Sequence, residues 1–380
     1  MKRETQLIHS GRPRRDDDLV NPPIQRGSTV LSPSMEELYA PTPPRRHYGR
    51  GGLSPNLELR EAIAGLYKAD HVSLTPSGLS SIAYAIRCAI EKPGQALITD
   101  SAYKPVRRFC QEELPRLGIE PVFYDPRIGA GISDLINEHT QMILLESPGS
   151  LTLEVQDIPA IAGEAQKAGV KTVIDDTWTA GLLMNPLDMG VDFAAQALTK
   201  YVGGHSDFLM GAIAARGKNA RALEQRSTLY GLHVSPDDAF LALRGLRTLP
   251  LRIERSGQSG LELASRLVKH PKIARVIHPA LKSSPDHGLF ARDFDGACGC
   301  FSVILNGFNQ NDGDRFAECL KLFGIGFSWG GFESLVLGCD RQLERTAVPW
   351  KAEGALIRFS IGLEHVDDLW TDIEQALDRL

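Results

Sequence analysis

Between about residues 56 and 245, short apolar runs alternate with longer amphipathic stretches, and this rhythm constrains the fold more than any other feature. Hydrophobic periodicity predicts helices over 55–70, 77–91, 104–118, 133–139 and 158–169. Between them lie strand-like runs over 71–74, 95–100, 120–125, 142–147, 171–177 and 210–215. Alternating β and α units of this length argue for a mostly parallel sheet covered by helices, and ligands of such sheets sit at the carboxyl ends of the strands. After about 246 the pattern changes to a long helix over 253–270, strands over 274–279, 300–305, 334–338 and 356–362, and helices over 314–323 and 367–380. That is the expectation for a smaller α+β domain at 246–380 behind an α/β domain at 56–245. Residues 1–55 differ again. They carry 8 of the 23 prolines (Pro13, Pro22, Pro23, Pro33, Pro41, Pro43, Pro44 and Pro55), which disfavours long helices. An extended arm anchored by Ile24, Val30, Leu31, Leu38 and Tyr39 is expected there, packed on a neighbouring subunit.

Charge sets further limits. Lys plus Arg is 42 and Asp plus Glu is 47, a net charge of −5, which gives no reason to expect nucleic acid or an anionic membrane as the main partner. No apolar run approaches the roughly 18–20 residues that span a bilayer. The first 18 residues lack a hydrophobic signal core, so a cytoplasmic location is expected. Cys88, Cys110, Cys298, Cys300, Cys319 and Cys339 form no dense disulfide framework, and Cys298-x-Cys300 has no second pair at metal-site spacing, so no metal is expected.

Four segments can carry chemistry. Thr75–Ile82 (TPSGLSSI) lies between a strand and a helix; its backbone N–H groups suit a phosphate, although taken by itself the segment is explained more simply by Ser77 as a plain N-cap. Val173–Trp178 (VIDDTW) ends a strand in acids, where a carboxylate either meets a ligand or merely faces solvent. In Ala197–Gly211, Lys200 follows an apolar run; it is either a surface lysine or one whose desolvated amine forms a Schiff base. In Gly324–Leu335, Gly326-x-Ser328-x-Gly330 mimics a nucleophile elbow, with Asp340 and His365 in hydrolase order. An elbow needs a helix after the serine, and WGGFESLVLG is glycine-broken and then strand-like, which argues against a serine hydrolase. No G-x-G-x-x-G follows a strand and no P-loop occurs.

Taken together, these segments resemble the trans-sulfuration, or Cys/Met metabolism, family of pyridoxal-phosphate enzymes. The likeness runs from LIHSGR to IRFSIGLE through Tyr48-Gly-Arg50, Ser77-Gly78, Val173–Trp178, Thr199-Lys200-Tyr201 with GGHSD, and Ser328–Ser334. It implies a fold-type I, aspartate aminotransferase-like architecture and a homotetramer with active sites shared between subunits. It implies that Lys200 carries pyridoxal 5'-phosphate and moves the proton at Cα, that Gly78 and Leu79 offer backbone donors and Thr199 a hydroxyl to the phosphate, and that Asp175 faces the ring nitrogen. Tyr103 matches the residue stacked on the ring. Tyr48 and Arg50 match residues that reach a neighbour's site, Arg50 onto the phosphate. Tyr103 and Tyr48 are alternative proton acceptors. Arg358 matches the arginine that grips the substrate carboxylate, with Ser328 beside it and Trp329 and Tyr48 bordering the substrate. Ser328-Trp329-Gly330-Gly331 favours the β-lyase branch, since the γ-enzymes commonly have Ser-Leu-Gly. That branch implies a carbon–sulfur lyase acting on L-cystathionine, giving homocysteine, pyruvate and ammonia in methionine biosynthesis. A γ-synthase, a γ-lyase, a broader cysteine-S-conjugate β-lyase and a cofactor-binding regulatory protein are the alternatives. Two positions depart from the family pattern: Ala197 replaces a serine and Asp176 a frequent asparagine.

Overall fold

Strand residues segregate into two sheets in the computed structural model, which describes residues 2–12, 19–40, 48–352 and 354–380. The first sheet takes β1 (His71–Thr75), β2 (Gly94–Thr99), β3 (Ile119–Tyr124), β4 (Thr140–Glu146), β5 (Lys171–Asp175), β6 (Phe193–Ala197) and β7 (Gly211–Ala215) in the order β1-β7-β6-β5-β4-β2-β3. Strand β7 runs antiparallel to both neighbours, and all other pairs are parallel. Alternate side chains feed two separate cores: Leu97, Ile143, Leu145 and Ile174 on one face, Ala96, Ile98, Leu144 and Val173 on the other. Burial on both faces is why these strands read as nearly unbroken apolar runs. Helix Gly78–Ala89 covers one face with Ile82, Ala85, Ile86 and Ala89, the i, i+3, i+4, i+7 stripe that helical pitch demands.

The second sheet holds β8 (Ile273–Ile277), β9 (Cys300–Leu305), β10 (Gly324–Ile325), β11 (Leu335–Gly338) and β12 (Leu356–Ser360) in the order β10-β11-β12-β9-β8. Phe301, Phe316, Phe323 and Phe359 pack around its centre, with ring centroids 5.4–6.1 Å from Phe359. The two-sheet architecture and the mostly parallel first sheet agree with the expected fold class.

Local expectations fail in identifiable places. Residues 133–139 form no α-helix; a 3-10 turn covers Gly129–Asp134, and Asn137 then turns the chain into β4 by exchanging hydrogen bonds with His139 and Thr140. Strand β6 reads weakly because FAAQA is mostly alanine, and helix Gly217–Leu229 buries only Ala220 and Leu223. The long helix starts at Leu249 rather than 253, with Pro250 in its first turn, where its missing N–H costs nothing. Near the N-terminus, Arg3–His9 is a short helix rather than extended chain, pinned by buried Leu7 and by Arg3 on the Leu182 carbonyl at 2.6 Å. Leu31 and Tyr39, expected as anchors, are 90 % and 76 % exposed on this chain. Pro13, Pro41, Pro43 and Pro44 lie outside the described residues.

Candidate active site

The carboxyl ends of β4, β5 and β6 open into a cavity of about 250 Å³ that β9 and β12 of the second sheet close from the other side. Lys200 stands in the turn after β6, with Nζ donating to Ser328 Oγ at 2.7 Å and lying 5.5 Å from the Trp329 ring centroid. Burial, reinforced by the nearby Arg358 guanidinium, lowers the Lys200 amine to about 8; Cys300 and Asp175 pull the other way.

Asp175 ends β5 and is 8 % exposed. Its Oδ1 accepts from Thr177 N at 3.0 Å and from the Thr177 hydroxyl, while Oδ2 makes no hydrogen bond among the described residues. Burial raises its pKa and the Thr177 bonds restrain the rise. The next residue, Asp176, faces the opposite side and is completely buried; burial lifts it to about 7 against the donors Thr179 and Tyr67.

Arg358 projects from β12, and Nη2 donates to the Ser328 carbonyl at 2.8 Å while Nε is buried without a partner. Part of its planar fork is therefore free for a carboxylate. Ser328 serves both cations, through its hydroxyl and its carbonyl, from a left-handed backbone at φ +84°. The nucleophile-elbow alternative ends here: no helix follows Ser328, and exposed His365 caps the helix Val366–Leu377, accepting from Asp367 N at 3.3 Å.

Ser77 caps helix Gly78–Ala89 by accepting from Ser80 N at 3.1 Å, so the N-cap reading holds. Yet Gly78 and Leu79, whose N–H groups have no acceptor among the described residues, line the cavity. A helix start with free donors facing a cavity suits an anion. A Cβ on Gly78 would meet the Ala197 Cβ at 2.3 Å, so only glycine lets the helix approach β6 this closely. Thr199 also borders the cavity, but its hydroxyl accepts from Met210 N at 3.0 Å and lies 3.2 Å from Met210 O.

Tyr103 lines the mouth, with its phenol pushed up by burial and by Asp175 and Glu146. Tyr48 and Arg50 are not among the cavity residues; Arg50 Nη1 instead donates to Thr228 O at 3.2 Å on the chain's outer surface. Glu146 went unnoticed in the sequence. It ends β4 in register with Asp175, accepts from Tyr103 N at 2.7 Å, and is held well above the usual carboxylate range by burial and by Asp175. The rule that singled out Asp175, an acid closing an apolar strand, applies equally to MILLES. Cys300, Phe327 and Gln342 also line the cavity, and the sequence marked none of them as a cavity residue.

The residues fit pyridoxal phosphate: an amine of lowered basicity, a buried carboxylate with one free oxygen, unpartnered N–H donors at a helix start and an arginine with a free edge share one cavity. A mostly parallel sheet gathering these groups at its strand ends defines a fold-type I, pyridoxal-phosphate-dependent enzyme. The chain belongs to the Cys/Met metabolism PLP-dependent enzyme family, which residues 4–378 match. Among its relatives, cystathionine beta-lyase MetC of Escherichia coli is 37 % identical, the alignment covering 100 % of this chain and 99 % of the relative. An L-alanine/L-glutamate racemase of Wolbachia pipientis is also 37 % identical, over 100 % of this chain and 98 % of its own. The crystal structure of metB from Corynebacterium glutamicum superimposes with a TM-score of 0.92 at 27 % identity, covering 100 % of this chain and 98 % of that one. Among the described residues no helix is long and apolar enough to cross a membrane.

Proposed function

We propose that the chain is a carbon–sulfur lyase that cleaves L-cystathionine by β-elimination, releasing homocysteine, pyruvate and ammonia. The observation that carries this reading is the Ser328-Trp329 turn, which holds both Lys200 and Arg358 in one small cavity. The near full-length likeness to a cystathionine beta-lyase supports it.

Bound pyridoxal phosphate withdraws electrons from Cα of an amino acid and so makes its proton removable. The chain's own groups do the rest. Arg358 grips the α-carboxylate and fixes the Cα–H direction. Lys200, whose desolvated amine gives up its own proton near pH 8 rather than 10.5, takes that proton and delivers it to the departing sulfur. Asp175 would meet the ring nitrogen with its free oxygen, Gly78 and Leu79 would donate to the phosphate, joined by Thr199 once its hydroxyl turned from the Met210 carbonyl, and Tyr103 would cover the ring. Trp329 narrows the cavity around the substrate side chain. Tyr48 and Arg50 complete the site of a neighbouring copy in a homotetramer, carried by an arm formed by residues 1–55. Residues 56–245 bind the cofactor and 246–380 supply the carboxylate clamp. A cytoplasmic location suits a soluble amino-acid substrate.

The racemase relative supplies a second reading, since proton removal at Cα is the first step of both reactions. The test is product identification with L-cystathionine, L-cystine, a γ-substituted amino acid and L-alanine in parallel. Pyruvate from cystathionine supports the β-lyase; 2-oxobutyrate moves the assignment to a γ-lyase, and D-alanine without pyruvate to a racemase. Lys200→Ala is expected to abolish turnover, and borohydride trapping followed by peptide mapping is expected to mark Lys200.

A further inference from the structure

We propose that Asp176 is a positioning residue, a second anion held behind Asp175 that strengthens the grip of Asp175 on the proton of the bound cofactor's ring nitrogen. This rests on Asp175 facing that nitrogen.

Two hydroxyls face the Asp176 carboxyl. Tyr67 Oη accepts from Gln196 Nε2 at 2.9 Å, which leaves its own proton to donate to Asp176 Oδ2 at 2.7 Å. Thr179 Oγ1 accepts from Gly181 N at 3.2 Å, and its proton points to Asp176 Oδ1, with the Asp176 carbonyl a more distant acceptor at 3.4 Å. Both carboxyl oxygens therefore face hydroxyl donors, the arrangement that favours an ionised carboxylate, and because burial sets its midpoint near 7 the charge is present above that pH. Among the described residues no lysine, arginine or histidine bonds Asp176. Its titratable neighbours are Tyr67, which donates to it, and Asp175, beyond which stands Lys200.

Consecutive side chains at a strand end point to opposite faces. Asp175 thus meets the cavity while Asp176 lies behind it in the core, close enough for the two carboxyls to interact. A buried anion set behind Asp175 makes protonation on the cavity side more favourable, for the ring nitrogen and for the nitrogen that joins Lys200 to the cofactor. Tyr67 and Thr179 supply the donors that keep a charge there without a cation to cancel it.

The test is a visible-absorption pH titration of the lysine-bound cofactor in the holoenzyme, comparing the parent with Asp176→Asn and Thr179→Val. Asp176→Asn removes the charge at constant shape and is expected to lower the midpoint by on the order of one pH unit, a tenfold loss of proton affinity. Thr179→Val withdraws one donor and is expected to lower it less, in the same direction. Unmoved midpoints in both variants, with cofactor bound and the parent's Tm, overturn the proposal. Should Asp176→Asn not fold, an unmoved midpoint in Thr179→Val suffices to overturn it. Asp175→Asn separates the two claims. If its spectrum matches the parent's, the reading of Asp175 fails; if only Asp175→Asn changes the spectrum, the inference about Asp176 fails alone.

Discussion

Lys200 donates a 2.7 Å hydrogen bond to Ser328, a residue 128 positions further along the chain whose backbone sits at φ +84°. A non-glycine residue in that region is strained, and here the strain coincides with a hydroxyl and a carbonyl that orient the two cations of the cavity.

Removing that hydroxyl tests its worth. Hydrogen bonds to charged groups contribute about 1.5–3 kcal/mol, so Ser328→Ala is expected to lower kcat at least tenfold with a smaller change in KM. Ser328→Gly, which relaxes the backbone but lacks the hydroxyl, is expected to show the same kcat loss with a higher Tm. Steady-state kinetics and thermal melts on both variants check this.

The lowered basicity of Lys200 predicts how the apoprotein captures its cofactor. Only the neutral amine is a nucleophile. With a midpoint near 8 instead of the usual 10.5, the capture rate is expected to rise as pH increases through about 8 and then level off. Stopped-flow absorbance across pH 6–10 measures it; a rate still climbing steeply at pH 10 contradicts a desolvated amine.

Ala197 and Gly78 touch back to back beneath the helix start that faces the cavity. Gly78→Ala forces that start away from β6 and is expected to weaken cofactor retention tenfold or more. Ala197→Ser adds a hydroxyl at the cavity wall and is expected to tighten retention roughly tenfold, the gain of one charge-assisted hydrogen bond. Equilibrium dialysis of both variants decides whether the phosphate sits there.

Asp100 ties the segment after β11 to the first sheet. It is 1 % exposed, pairs with buried Arg107 at 2.8 Å, and accepts from the successive N–H groups of Thr346, Ala347 and Val348 at 2.9–3.1 Å. Those donors hold its carboxyl below the usual range despite burial. Asp100→Ala leaves Arg107 charged and unpaired, so a loss of about 3–5 kcal/mol is expected in urea unfolding. Because the same segment carries Gln342 into the cavity wall, kcat/KM is expected to fall as well.

Much of this site was legible along the chain. MILLES announced an apolar strand and VIDDTW a strand ending in acids, TPSGLSS announced a helix start, and the lysine after AAQAL stood out because an ammonium does not follow an apolar run without cause. These signals are local, since they depend on side-chain period and on which groups tolerate burial. The pairing of Glu146 with Asp175, the turn that brings Ser328 onto Lys200 and the free edge of Arg358 were decided only by tertiary structure. The first joins neighbouring strands of one sheet and the other two join residues across two sheets, and packing, rather than any pattern within one segment, chooses which strand ends meet. The same holds for Asp176: its acidity and the nearby Thr179 are written in the sequence, but the Tyr67 hydroxyl, 109 positions earlier, reaches it only when the core closes.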